Sequence, residues 1–427
     1  MRQVLKRPSN IFYGWKVLAA ASWIRILGGG FHTFALSIFF LPVSRELNLS
    51  RTAASLIFSL SRAEGALEGP AAGYLIDRFG ARIIMGIGCL TVGIGYLVLT
   101  QAHSFLSFTL IYIFIISIGF GASFMHSPTA LINHWFYRRR ALALAITSAA
   151  FSLGGAIFAP VLGTVVHQAG WRTGAIISGA VFILLALPAS RLICNTPEMK
   201  GLTPLGSPKP LPEPVISPAH TAPAGKTDFT VRRALKTHSF WLLVVGTLLR
   251  MFGFTAINLH FIPILVWKGI PEQSAAYYLG VMAAFSIPTH LILGVIGDRF
   301  FRPRLLAIAM AIGTAGLLFL LLGDGNTLSL FLFLPLMSVV EGLFAVVWAT
   351  LGDFFGRKHF ATIRGFVTLF VTLGSMTGPI FAGRVFDVSG SYTLVLQVCI
   401  VAFSLSSLVY FLMRPPRMEG QTSFNPA

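Results

Sequence analysis

Long apolar runs separated by short polar segments dominate the chain. A helix needs roughly 20 apolar residues to cross the hydrocarbon layer of a membrane, and twelve runs are about that long. They lie near 14–41, 52–76, 83–100, 105–133, 141–165, 173–193, 239–266, 274–297, 305–322, 327–351, 361–383 and 391–413. The pattern predicts an all-α membrane protein with twelve transmembrane helices.

A proline-rich polar segment divides these runs into two sets of six. Eight prolines fall between positions 194 and 237, and proline lacks the N–H that a regular helix or strand needs. We therefore predict two pseudo-symmetric six-helix bundles, 1–193 and 238–427, joined by a cytoplasmic linker, 194–237. A short amphipathic surface helix from Asp228 to Lys236 is expected to end the linker.

Composition excludes a soluble globular protein. The chain is 55% hydrophobic and only 11% charged, whereas soluble domains carry about 25% charged residues. Its three cysteines lie far apart in or beside apolar runs, which indicates neither a disulfide framework nor a metal site. We predict no metal, no cofactor and no set of catalytic residues.

The net charge of +18 is distributed unevenly along the chain. Sorting by alternate loops places 24 of the 32 lysines and arginines on one side of the membrane and 5 on the other. Basic residues are retained in cytoplasmic loops, so we predict a multi-pass protein of a bacterial-type inner cell membrane with both termini in the cytoplasm. The first apolar run is too long for a cleaved signal peptide, and we expect no nucleic-acid partner.

A charged turn occurs twice. GYLIDRFGAR begins at Gly73 and GVIGDRFFRP begins at Gly294, so in each copy a glycine precedes Asp-Arg-Phe by four residues. The two aspartates, Asp77 and Asp298, are 221 positions apart in a chain of 427. A duplicated turn between membrane helices indicates a transporter built from two similar halves.

These turns resemble the signature loops of the major facilitator superfamily. Three further segments resemble its monocarboxylate-transporter and oxalate/formate-antiporter branch: Tyr13-Gly14-Trp15, the stretch 135–143, and Ala234-Leu235-Lys236 followed by Phe240-Trp241. The resemblance implies a carrier of small carboxylates, coupled to protons or to a counter-anion.

The chain departs from that branch at its best-known positions. Ser286 and His290 stand where the branch has an aspartate and an arginine in the eighth span, and Phe34 stands near its first-span lysine. No lysine occupies the eleventh span. The exact substrate and the coupling ion are therefore not carried over.

The repeated turns suggest a latch on the cytoplasmic side. An aspartate at a helix end can accept hydrogen bonds from the N-terminus of a neighbouring helix, and nearby arginines can pair with the facing loop. The predicted gating residues are Gly73, Asp77, Arg78, Arg82, Asp298 and Arg299. Simple membrane anchoring and topology is the alternative interpretation.

Two arginines occupy equivalent places in the halves. Arg25 and Arg250 are 225 positions apart and lie about 16 and 18 Å along their spans at 1.5 Å per residue. Arginine grips a carboxylate through two parallel bonds, so we predict that both bind the substrate anion, with His290 and Arg62 as further contacts. The alternative is that each arginine pairs with an acidic residue and holds helices together.

Three buried carboxyl groups are candidates for proton coupling. Glu64 and Glu68 lie one helical turn apart and share a face, and two close carboxylates in a low dielectric do not both ionise. Glu341 is at about the depth of Arg250, as Glu68 is at that of Arg25, so pairing or neutralisation by the arginines is the alternative.

We therefore predict a secondary active transporter of small organic anions, mono- or dicarboxylates, that works by alternating access and is coupled to protons, with symport as the expected mode and antiport left open. It should act as a monomer within the lipid bilayer. An anion exchanger or a drug or metabolite efflux carrier of the same fold are the alternatives. A non-transporting sensor would need a signalling domain that the short tails lack. No nucleophile–base set, HExxH motif or phosphate loop indicates an enzyme.

Overall fold

The computed structural model describes residues 12–136, 140–203, 205, 229–323, 326–356 and 360–416, and nearly all of them are helical. The first half contains α1 (Tyr13–Gly28), α2 (Ala35–Glu46), α3 (Arg51–Phe79), α4 (Ala81–Leu99), α5 (Phe105–Ile111), α6 (Ile118–Phe120), α7 (Ser127–Trp135), α8 (Arg140–Val181) and α9 (Leu187–Arg191). The second half contains α10 (Val231–Leu235), α11 (His238–Leu259), α12 (Phe261–Trp267), α13 (Glu272–Arg299), α14 (Arg302–Leu322), α15 (Thr327–Gly342), α16 (Phe344–Phe355), α17 (Phe360–Ser389) and α18 (Thr393–Leu412). Short π-helical segments at Gly29–Thr33, Tyr112–Ser117, Gly121–His126 and Phe182–Ala186 continue neighbouring helices, and a 3₁₀ turn lies at Pro197–Lys200.

Ten helical stretches of the described residues are long and apolar enough to cross a membrane. One of them, Leu142–Arg191, changes direction at Gly170, whose positive φ of 82° favours glycine. The helix Arg51–Phe79 is not among the ten because it carries several charged side chains. Its 29 residues are nevertheless long enough to cross a membrane, since they reach about 43 Å at 1.5 Å per residue. The all-α membrane fold is confirmed, and the predicted number of twelve spans depends on counting α3 and dividing α8.

The linker is only partly described. Residue 204 and the segment 206–228 lie outside the described residues. The 3₁₀ turn precedes them and α10 follows them. The predicted surface helix is present in shortened form as Val231–Leu235, and it begins where the Thr230 side chain accepts a hydrogen bond from the backbone N–H of Arg233. The three domain boundaries stay predictions.

The two charged turns differ in their backbone. Gly80 has a φ of +85° and reverses the chain between α3 and α4, a conformation open to glycine at little cost. In the second copy Phe300 and Phe301 connect α13 to α14 with extended backbone. Both turns lie on one side of the molecule, which we call the turn side, and the opposite side is called the far side.

The halves are joined on the far side. The Asp387 carboxylate near the end of α17 accepts hydrogen bonds from the backbone N–H groups of Arg51 and Thr52, both at 2.8 Å. Ser59 on α3 donates to the carbonyl oxygen of Met376 on α17 at 2.9 Å. Further bonds between the halves connect Ser37 to Leu259, Arg45 to Glu272 and Ser55 to His260.

The helix faces that contact each other on the far side lie apart towards the turn side. Gly73 lies fourteen residues after Ser59, nearly four full turns, yet a Cβ added to Gly73 would meet nothing within 4 Å. In the other pair of helices, α13 and α8, Gly280 packs against Pro160. Gly294 lies fourteen residues further along α13, and a Cβ added there would meet nothing within 4 Å. The turn-side ends of α3, α8, α13 and α17 therefore border an open space between the halves, which we call the cleft.

Candidate functional site

Arg25 is partly exposed, and its guanidinium is hydrogen-bonded to the backbone of its own half. Nη1 donates to the carbonyl oxygen of Phe124 at 2.8 Å, and Nε donates to that of Thr147 at 3.4 Å. Cζ also lies 4.9 Å from the centre of the Phe151 ring. Arg25 therefore connects α1 to the π-helical segment Gly121–His126 and to α8.

Arg250 makes the equivalent contact in the second half but is buried, with 3% of its surface exposed. Its Nη1 donates to the carbonyl oxygen of Val340 at 3.0 Å, and its Nε has no hydrogen-bond partner. Val340 lies in the last turn of α15, where carbonyls lack a partner within the helix. In this conformation Arg250 connects α11 to α15, and its role as an anion ligand stays a prediction.

The two carboxyl groups on α3 have different environments. Glu64 Oε2 accepts a hydrogen bond from the Ser117 hydroxyl at 2.7 Å. Both oxygens of Glu68 are buried without a donor in hydrogen-bonding geometry. The carboxyl group instead lies against Gly121, where an added Cβ would be 2.0 Å from Oε2. Within the described residues Glu68 forms no ion pair with Arg25, so the pairing that equal depth suggested is not found.

Glu341 is connected to α13 rather than to Arg250. Its Oε2 accepts a hydrogen bond from the Ser286 hydroxyl at 2.6 Å. His290 donates from Nδ1 to the carbonyl oxygen of the same serine, also at 2.6 Å. Ser286, one of the positions at which the chain departs from the carboxylate-carrier branch, thus contacts both the half-buried Glu341 carboxyl group and the His290 ring.

Arg62 is exposed on α3 and forms no ion pair with Glu64 or any other described residue. The position leaves the Arg62 guanidinium available, and substrate contact by this residue stays a prediction.

The predicted gating residues make no described contact between the halves. Arg78 donates to the hydroxyl of Tyr74 on its own helix at 3.0 Å, and the backbone N–H of Arg82 donates to Asn195 at 2.7 Å. Gly73 borders the cleft, Arg299 is exposed, and the side chains of Asp77 and Asp298 fall outside the described part of the structure. An open turn side is the state in which a latch would be released.

Sequence reasoning missed two residues of the cleft, Arg364 and Trp348. The guanidinium carbon of Arg364 lies 4.6 Å from the centre of the Trp348 ring. Arg364 lies inside the eleventh apolar run, 361–383, and this position is the signal by which the sequence could have identified it.

Comparisons with known proteins agree on one family. The model of the Major Facilitator Superfamily matches residues 18–351 and 269–426. Human monocarboxylate transporter 6 is 24% identical over 96% of this chain and 82% of its own length. The MFS-type transporter YcxA of Bacillus subtilis is 24% identical over 88% of this chain and 89% of its own.

A solved structure shares the fold. A bacterial homologue of the human lysosomal transporter Spinster, in an inward-facing and occupied conformation, superposes with a TM-score of 0.72. It is 18% identical in sequence, and the match covers 95% of this chain and 97% of that one.

Proposed function

The chain belongs to the Major Facilitator Superfamily, and from that premise we propose that it carries small organic anions across the membrane by alternating access. It is a multi-pass membrane transporter and not an enzyme. The excess of basic residues near the turns favours a cytoplasmic turn side, cytoplasmic termini and a bacterial-type inner cell membrane. We further propose that the functional unit is a monomer of two bundles, 1–193 and 238–427.

The arrangement of the halves is the observation that supports alternating access best. Hydrogen bonds connect the halves on the far side, while the same helix faces are apart at Gly73 and Gly294. Rocking of one half against the other would break the first set of contacts and close the cleft. In that second state Asp77 and Arg78 would meet the facing loop as a latch.

The cargo class rests on charge and on the relatives. Monocarboxylate transporters from several species are similar to nearly the whole chain, and an arginine retained at membrane depth suits a carboxylate. Arg25 is the better placed of the two equivalent arginines because it is partly exposed, whereas Arg250 is buried. His290 and Arg62 are proposed as secondary contacts.

Proton coupling is proposed to use Glu68. Burying an ionised carboxylate that lacks well-aligned hydrogen-bond donors carries a large free-energy penalty. Both Glu68 oxygens are buried without a donor in good geometry, and the backbone N–H of Ala122 is the one group that favours the charge. A neutral carboxyl group fits the site better, and movement of the Gly121–His126 segment would expose it to a new environment. Glu64 and Glu341 each have a serine donor and are the less favoured candidates.

The experiment is uptake of radiolabelled pyruvate and succinate into proteoliposomes with and without an imposed proton gradient. We expect wild-type protein to accumulate at least one of them when the outside is acidic. Glu68→Gln should lose that accumulation but keep exchange of internal for external substrate within about threefold, because glutamine imitates the protonated side chain. Glu64→Gln is the matched control one turn away and should retain gradient-driven uptake.

Other outcomes identify the alternatives. Uptake that needs an internal counter-anion and ignores the proton gradient would favour an anion exchanger. Uptake of neither anion, together with transport of amphipathic dyes, would favour an efflux carrier. A Glu68→Gln variant that accumulates substrate like wild type would remove Glu68 from the coupling mechanism.

A further inference from the structure

Arg364 lies on the face of α17 that points away from the bilayer. Exposed apolar side chains mark the lipid-facing surface of this helix, among them Phe366 and Leu373. At 3.6 residues per turn both are about half a turn from Arg364. Arg364 is nevertheless exposed, so it is open to the cleft rather than to lipid.

The guanidinium of Arg364 has unused donors. It makes no hydrogen bond or ion pair with any described residue, in contrast to Arg25 and Arg250, which both donate to backbone carbonyls. The guanidinium carbon lies 4.6 Å from the centre of the Trp348 ring, a cation–π contact that restrains the group and leaves its N–H donors unpaired among the described residues. A planar fork held in this way is preorganised for two parallel bonds to a carboxylate.

Trp348 supplies a second unused donor at the same place. Its indole Nε1 is buried and has no hydrogen-bond partner. Buried polar groups are nearly always paired, so an orphan of this kind calls for an explanation. The indole N–H can donate to an anion that the neighbouring guanidinium holds, while the ring offers an apolar surface to the rest of a small molecule.

We propose that Arg364 and Trp348 form a binding subsite for the carboxylate group of a small monocarboxylate in the cleft. The proposal rests on the proposed function and names residues that take the anion when the turn side is open. Arg364 supplies the paired N–H donors, and Trp348 supplies one N–H and the ring face.

The test measures binding to purified full-length protein in nanodiscs. Pyruvate, lactate and benzoate serve as probes, and methyl pyruvate is the uncharged counterpart. Wild-type protein should bind at least one acid and not the ester. Arg364→Gln should raise the Kd of that acid at least tenfold, Arg364→Lys should raise it less, and Trp348→Phe should raise it about three- to fivefold. Arg384→Gln, an exposed arginine on the same helix, is the control and should leave the Kd unchanged.

The outcomes separate this proposal from the broader one. Binding by wild type with a Kd unchanged within twofold in Arg364→Gln and Arg364→Lys overturns the subsite and leaves anion transport standing. No binding of any of the three acids by wild type also overturns the monocarboxylate subsite, and succinate uptake into proteoliposomes then decides separately whether anion transport stands. Melting curves that match wild type establish that the variants fold. A Kd for Arg364→Lys that lies between those of wild type and Arg364→Gln shows that the two parallel bonds of the guanidinium contribute to binding beyond its positive charge.

Discussion

Asp387 joins the halves on the far side in this structure, and replacing it should shift the balance between the two states of the proposed alternating-access cycle. Its carboxylate accepts from the backbone N–H groups of Arg51 and Thr52 and from the Thr52 hydroxyl, at 2.8, 2.8 and 2.5 Å. These donors lie at the first residues of α3, where the helix dipole favours a negative charge. The change Asp387→Asn removes that charge and leaves one acceptor oxygen for three donors.

The size of the effect follows from the lost bonds. Hydrogen bonds to charged groups contribute about 1.5–3 kcal/mol each, and the exposure of Asp387 argues for the lower end of that range because water competes for the donors. A total loss of about 2 kcal/mol corresponds to roughly a thirtyfold change in an equilibrium constant. Such a change would turn a mixture of about 97:3 into one near 50:50.

Distance measurements between spin labels would detect this shift. Gln101→Cys and Leu328→Cys place one label on the far side of each half, and both positions are exposed, whereas the three native cysteines are buried. We expect one main distance in wild type and a second, longer population in Asp387→Asn. Arg384→Gln, one turn earlier on α17, is the control. A distance distribution in Asp387→Asn that superimposes on wild type would refute the reasoning.

Two further predictions concern helix packing and the latch. Gly154→Ala should destabilise the purified protein by about 1–3 kcal/mol through overpacking, because an added Cβ would lie 1.9 Å from the carbonyl oxygen of Ile26. Gly365→Ala is the control and should leave the stability unchanged, because a Cβ added there would meet nothing within 4 Å. Equal melting temperatures for the two variants would contradict this account. Asp77→Asn should slow turnover in proteoliposomes while substrate affinity stays within about twofold, and unchanged turnover would remove Asp77 from the latch.

The membrane class, the family and the internal repeat were predictable because each depends on properties local to the chain. Apolar length marks a helix that crosses a membrane wherever that helix packs. The repeat placed Arg25 and Arg250 in register, and their contacts with Phe124 and Val340 are indeed equivalent. The family match agrees with the resemblance that the repeated turn indicated.

The partners of the charged residues were not predictable in the same way. Counting residues from a helix end gives depth along one axis only, and the equal depth of Glu68 and Arg25 predicts that they pair. The structure instead leaves Glu68 against Gly121 and gives Arg25 two backbone carbonyls. The rotation of each helix about its own axis decides this, and it depends on the packing of all neighbouring helices.

Sequence reasoning thus established the kind of molecule, its two halves and an expected orientation, since hydrophobic length and charge asymmetry act segment by segment. Tertiary structure decided which side is closed, that Asp387 meets the start of α3 across 336 positions of the chain, and that Arg364 stacks on Trp348. Those contacts join residues far apart in the chain. Their free energy exists only once the helices are packed, so no pattern along the chain records it.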